Sequence, residues 1–103
     1  MNKKIDKLSE LLDLLRNNNL VIINNYSKKD GTSRDIHSTL NFDIIPKEKH
    51  PKKKEISTME NMSSKGLIVI FDVKKNSWKS LTINKIKKCV VGKNIYTIDI
   101  KKV

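Results

Sequence analysis

Lysine is the reactive residue type that dominates this sequence, and it is concentrated towards the C-terminus. Twenty of the 22 basic residues are lysine, and the formal net charge is +11. Residues 73–103 contain nine basic side chains and one acidic one, whereas residues 1–72 contain thirteen and ten. A lysine ammonium is a point charge that attracts phosphate without reading a base. The charge distribution therefore predicts a polyanion-binding surface in the C-terminal third.

We predict that this surface binds DNA or RNA phosphates, with aromatic rings adding stacking contacts to bases. The predicted site consists of Lys74, Lys75, Trp78, Lys79, Lys85, Lys87, Lys88, Lys93, Tyr96, Lys101 and Lys102. Such binding would be nearly independent of sequence and steeply dependent on salt. Two alternatives stay open. The lysine excess could come from the codon bias of an AT-rich genome, which favours Lys, Ile and Asn, and these make up 45 of the 103 residues. Trp78 could instead belong to the core or its rim.

The remaining reactive side chains do not assemble a catalytic or metal site. Cys89 is the only cysteine and precedes two valines, so we expect a small buried hydrophobe. His37 has no cysteine or carboxylate at ligand spacing, and we expect it at the surface. The three glycines are isolated and no HExxH motif is present. We therefore expect no enzymatic activity, no cofactor and no metal.

An amphipathic helix is predicted over residues 4–16, where apolar side chains recur at spacings of three and four. These side chains are Ile5, Leu8, Leu11, Leu12 and Leu15. Three asparagines at residues 17–19 favour its termination. The apolar stripe either covers the open end of the protein's own core or docks on a partner.

Alternation and turn residues predict β-structure in the rest of the chain. Residues 20–26 and 34–40 flank Asp30-Gly31, a strong hairpin signal, and Ile36 and Leu40 should face the core. Further strands are predicted at residues 66–73, 78–82, 89–91 and 95–100. Trp78 begins the return strand of a second hairpin, after a turn at residues 74–77.

Residues 41–65 lack periodicity and contain both prolines, so they form a long loop. We expect Ile44, Ile45 and Pro46 to anchor its first part and residues 46–65 to be mobile. The length and 37% hydrophobic content predict one domain over residues 1–103. No apolar run approaches the roughly 18 residues of a membrane span, and the N-terminus lacks a small-residue cleavage site. We therefore expect a cytoplasmic protein.

The order of five short motifs resembles a known family. KKDGTSR, STL, IIP, IVIFDV and WKSL occur in this order over residues 21–86. They resemble a small tailed-phage family described as WYL-like with an Sm-like SH3 β-barrel fold. The resemblance implies a mainly β protein, a small barrel of five to six antiparallel strands with an N-terminal α-helix. The chain departs from the family in its lysine-rich loop at residues 47–65, in an added hairpin after residue 88, and in lacking a W-Y-L triplet.

The resemblance also suggests a function. Related WYL domains of bacterial regulators sense ligands, often nucleic acids, through a basic and aromatic patch, which implies a role for Trp78, Lys79 and Ser80. Our leading hypothesis is a phage-encoded, non-enzymatic nucleic-acid-binding accessory protein in the host cytoplasm. The alternative is a module that binds and modulates a host protein or complex, such as RNA polymerase, the ribosome or a defence factor. A third hypothesis is a homo-oligomeric ring component.

Overall fold

The described part of the chain forms one sheet of seven strands and one α-helix. A computed structural model describes residues 2–28, 30–52 and 65–100. The helix α1 spans Leu8–Asn17. The strands are β1 (Asn2–Ile5), β2 (Val21–Ser27), β3 (Ser33–Thr39), β4 (Leu67–Asp72), β5 (Ser77–Thr82), β6 (Lys88–Val91) and β7 (Asn94–Ile98). Their hydrogen-bonded order is β1-β7-β6-β2-β3-β4-β5. The predicted mainly β fold with an N-terminal helix is confirmed, with seven strands rather than five or six.

The helix begins four residues later than the apolar spacing predicts. Residues 2–5 are extended and pair parallel with β7, so Ile5 lies opposite Ile98. β1 is the strand that we did not predict, and its parallel pairing differs from the antiparallel pairing that we expected for every strand. Within α1, Leu11 and Leu15 are fully buried in the main core. The helix therefore covers the protein's own core, which is the first of the two roles that we expected for its apolar stripe.

Both predicted hairpins are confirmed. β2 pairs antiparallel with β3, and Ile23 lies opposite Ile36 on the buried face. The connecting turn includes Gly31 at φ +89°. In the same turn, the Asp30 carboxylate accepts a hydrogen bond from the Thr32 amide at 3.0 Å. β4 pairs with β5 along its whole length, through a turn over residues 73–76.

The main core lies on one face of the curled sheet and is closed by α1. Cys89 is fully buried there, and burial raises the pKa of its thiol to about 12. This matches the prediction of a buried hydrophobe. Leu40 packs against the same cluster, as predicted. The Tyr26 hydroxyl accepts a hydrogen bond from the Thr82 amide at 2.9 Å. This bond links β2 directly to the edge strand β5, as expected when a sheet curls towards a barrel.

The first part of the long predicted loop lies against the sheet. Of the predicted anchor, Ile45 is buried and Pro46 half-buried, but Ile44 is exposed, so the prediction was wrong for Ile44. Residues 47–49 form a short 3-10 turn. The mobility expected over residues 46–65 stays a prediction. Residues 53–64 of that loop lie outside the described residues. Across the described ranges, no helix is long and apolar enough to cross a membrane.

Candidate nucleic-acid interface

We call four basic residues the cationic cluster: Lys79 and the three whose charge lowers its pKa, which are Lys28, Arg34 and Lys75. Lys79 lies on β5 opposite Ile70, so its stem points towards the core face and is half-buried. Burial lowers the pKa of Lys79, and repulsion from Arg34, Lys28 and Lys75 lowers it further. The cluster combines two residues of each hairpin, and the two hairpins are far apart in the sequence.

Asp72 is the buried counter-ion of this cluster. Its side chain is 1% exposed and accepts a hydrogen bond from Arg34 Nη2 at 3.0 Å. The same carboxylate accepts a bond from the Lys75 amide at 3.1 Å. These two bonds orient the Arg34 guanidinium and fix the turn that carries Lys75. Asp72 therefore binds Arg34 and attracts Lys79, and this one buried negative charge offsets only part of the positive charge of the cluster.

Two exposed carboxylates lie at the margins of the cluster. Attraction from Lys28 contributes to lowering the pKa of Asp30, after the larger effect of the Thr32 hydrogen bonds. The pKa of Asp35 is lowered mainly by the bond from the Asn25 amide, with a smaller effect of Lys74. Both carboxylates are solvated, so solvent and salt screen their effect on the cluster.

The structure places the predicted lysines at several positions along the sheet. Lys74 and Lys75 lie in the β4–β5 turn near Lys79. Lys87 lines an open depression of about 580 Å³ with Lys3 and Lys4 at the β1–β7 edge. The other described members are exposed at separate turns and strand ends: Lys85, Lys88 and Lys93. Lys101 and Lys102 lie outside the described residues. In the hydrogen-bonded order, β4, β3, β2 and β6 separate β5 from β7.

Trp78 is a rim aromatic on the outer face of β5. Its indole N–H donates to the Lys49 carbonyl at 2.6 Å. The ring meets Phe71 edge-on, with centroids 5.5 Å apart, and Phe42 likewise at 6.4 Å. Its hydrogen-bond donor and two of its ring contacts are therefore used within the protein. Tyr96, the other aromatic predicted to stack, is half-buried against the main core.

Phe42 and His50 complete this outer aromatic group. Their rings stack with centroids 4.9 Å apart and planes 28° from parallel. His50 Nε2 lies 2.8 Å from the Ile45 carbonyl and 3.1 Å from the Phe42 carbonyl. Carbonyl oxygens only accept hydrogen bonds, so Nε2 carries the proton. Phe42 remains 43% exposed.

Sequence reasoning missed several members of these two groups. Arg34 shares the alternating face of Ile36, and this was the available signal that it points towards the core end. Lys28 lies in the KKDGTSR motif, and Phe42 and His50 lie in a segment without periodicity. Within the described part of the chain, no group of three or more His, Cys, Asp or Glu side chains could hold a metal ion. His37 is half-buried rather than fully exposed, and its Nδ1 is buried.

The curled, mainly antiparallel sheet, its covering helix and the Tyr26 bond across the core define a small β-barrel of the SH3 type. The chain belongs to the WYL_2 family, described as having an Sm-like SH3 β-barrel fold, whose model matches residues 8–87. The family resemblance predicted from the motifs is therefore confirmed. β1, β6 and β7 lie outside the matched residues, in agreement with the added hairpin expected after residue 88. No curated protein and no solved structure matches the chain.

Proposed function

We propose that this chain is a non-enzymatic phage accessory protein that binds nucleic acid without sequence specificity, through the cationic cluster. The observation that carries this proposal is the Asp72 carboxylate, which binds both Arg34 and the Lys75 amide and so holds this arginine and the Lys75 turn beside β5, where Lys79 is half-buried. Like charges held close together repel one another, and a phosphate placed among them would relieve that repulsion. Phosphate binding is therefore the chemistry that the cluster favours most.

The composition of the cluster supports phosphate contacts rather than base reading. Three of its four members are lysines, which lack the planar fork that pairs with guanine edges. Arg34 has that fork, but one of its nitrogens is held by Asp72. We expect affinity for DNA and RNA to fall steeply with salt and to vary little with sequence.

The proposal is tested by comparing two triple variants that remove the same charge. One variant replaces three members of the cationic cluster: Lys28→Ala, Lys75→Ala and Lys79→Ala. The other replaces three exposed lysines elsewhere: Lys85→Ala, Lys88→Ala and Lys93→Ala. Fluorescence anisotropy with a DNA duplex, a single strand and an RNA hairpin is measured from about 50 to about 300 mM salt.

We expect the cluster variant to lose far more affinity than the comparison variant. The slope of log affinity against log salt should fall by about 1 for each lysine that contacts a phosphate. Equal losses in the two variants would mean that net charge alone drives binding and that the cluster is not the site. No binding by the unmodified protein at the lowest salt would refute the nucleic-acid proposal itself.

A second candidate is a protein-interaction module that acts through the edge strand β5. Among the described strands β5 ends the sheet, so its outer backbone groups face no neighbouring strand. An extended segment of a host protein, or a second copy of this chain, could add to such an edge. Ser80→Lys adds a charge at this edge. It should weaken strand addition, measured by affinity purification and solution mass, but leave nucleic-acid binding intact.

A further inference from the structure

Phe42 is an exposed aromatic ring held in a fixed position. One face of the ring stacks on His50, and its neighbour Trp78 approaches edge-on. Despite these contacts, 43% of the residue stays open to solvent. Leaving that much aromatic surface in water forgoes the stabilisation that burial would supply. A ring that is stacked on a neighbour and still partly exposed is suited to receive another flat group.

Hydrogen bonds to backbone carbonyls hold this ring in place before any ligand binds. His50 Nε2 bonds to the carbonyls of Phe42 and Ile45, which closes the segment on itself. The Trp78 indole bonds to the Lys49 carbonyl and so ties the same segment to β5. The ring therefore needs little further ordering to make a contact, and this lowers the entropic cost of binding.

The edge strand β5 connects this ring to the cationic cluster, because it carries both Trp78, which contacts Phe42, and Lys79. Trp78 and Lys79 are consecutive residues, so their side chains lie on opposite faces of the strand. Because β5 ends the described sheet, a flexible ligand can pass around it from one face to the other. The segment that carries Phe42 also contributes further lysines for a phosphate backbone: Lys47, Lys49 and Lys52.

We infer that Phe42 is a stacking platform for a base of single-stranded nucleic acid whose phosphates lie on the cationic cluster. This inference rests on the proposed function and adds the class of nucleic acid. A duplex keeps its bases stacked on each other, whereas a single strand can turn one base outwards onto an aromatic ring. The inference transfers the stacking role that we predicted for Trp78 or Tyr96 to a residue of another segment.

The test uses three probes of about 12 nucleotides, within the site size of a small barrel. They are a thymidine strand, a strand of the same length with abasic sugars, and a duplex. We expect the thymidine strand to bind roughly tenfold more tightly than the abasic strand, the effect of one stacked base. Phe42→Leu should reduce thymidine binding to the abasic level without changing abasic binding, and Phe42→Tyr should keep it.

Ile44→Ala is the matched control, since Ile44 is 41% exposed in the same segment but has no ring. It should leave all three affinities unchanged. Emission from Trp78, the only tryptophan, should change with the thymidine strand and stay constant with the abasic strand. This last comparison needs no variant, and equal emission with both strands would refute stacking at the Phe42–Trp78 pair even where Phe42→Leu fails to fold.

The possible failures of the two proposals can be told apart. Equal binding of the thymidine and abasic strands would refute stacking and leave phosphate binding intact. An equal loss in Ile44→Ala and Phe42→Leu would also refute stacking, because a general apolar contact would then explain the effect. Absence of binding to all three probes would refute both proposals together.

Discussion

Replacing Asp72 with alanine should be among the most destabilising changes at the surface end of this barrel. The carboxylate is 1% exposed, whereas the Arg34 side chain that it pairs with is 24% exposed. It accepts one bond from Arg34 and one from the Lys75 amide. Asp72→Ala removes both bonds at once, so a half-buried guanidinium and a turn amide lose their acceptor.

The size of the loss follows from these two contacts. Removing one partner of a buried ion pair costs about 3–5 kcal/mol, because the other charge is left unpaired. Arg34 keeps some access to water, so we expect the lower end, about 3 kcal/mol. A domain of this size has roughly 5–15 kcal/mol of stability in all. Asp72→Asn keeps an acceptor of the same shape and should cost about 1 kcal/mol, the difference between a charge-assisted and a neutral bond.

Urea titration followed by Trp78 fluorescence measures the free energy of unfolding of each variant. Arg34→Met and the Asp72→Ala/Arg34→Met double variant complete a double-mutant cycle. The summed losses in unfolding free energy of the two single variants should exceed the loss in the double variant by about 1–3 kcal/mol, since either change alone breaks the same pair. A loss below about 1 kcal/mol for Asp72→Ala, or strict additivity, would show that this pair does not organise the cluster.

Three further changes probe the core and the turns. Burial raises the pKa of the Cys89 thiol from 9.0 to about 12, so the folded state holds this proton more tightly. The free energy of unfolding should therefore fall as pH rises from 9 towards 12; urea titrations across that range should show a weaker decline in Cys89→Ala, and an identical decline would contradict the assignment. Gly31→Ala should cost about 1–2 kcal/mol in urea titration through its φ of +89° alone, since an added Cβ meets no atom within 4 Å; a neutral result would mean that the turn relaxes. Leu15→Ala should cost about 2–5 kcal/mol, because the side chain is fully buried in the core; thermal unfolding by circular dichroism checks this, and a loss below 1 kcal/mol would show that α1 does not seal the core.

Local patterns in the sequence predicted most of the elements. The alternation around Ile36 and the Asp30-Gly31 turn signal identified the first hairpin, because strand faces and turns depend on neighbouring residues. The spacing of Leu11 and Leu15 likewise identified the helix and its buried face. The motif order identified the family, and its model matches residues 8–87.

The strand at the N-terminus was not predictable in this way. Asn2–Ile5 becomes a strand because β7, about ninety residues later in the chain, offers it a parallel edge. Its local pattern fits the first turn of the helix equally well. Pairing between distant segments depends on the closed fold, so the boundary between β1 and α1 was set by tertiary structure.

The candidate site was likewise predictable from the sequence only in part. The excess of lysine, the single buried cysteine and the lack of a catalytic motif were readable from residue types alone. Which lysines act together was not, because Asp72 meets Arg34 across 38 positions and Trp78 meets Lys49 across 29. The sequence by itself determined that the protein is a small basic barrel. Only the tertiary structure decided that the charges of Lys79 and Arg34 interact and that Phe42 is exposed to solvent, since both depend on which hairpin ends the sheet places side by side.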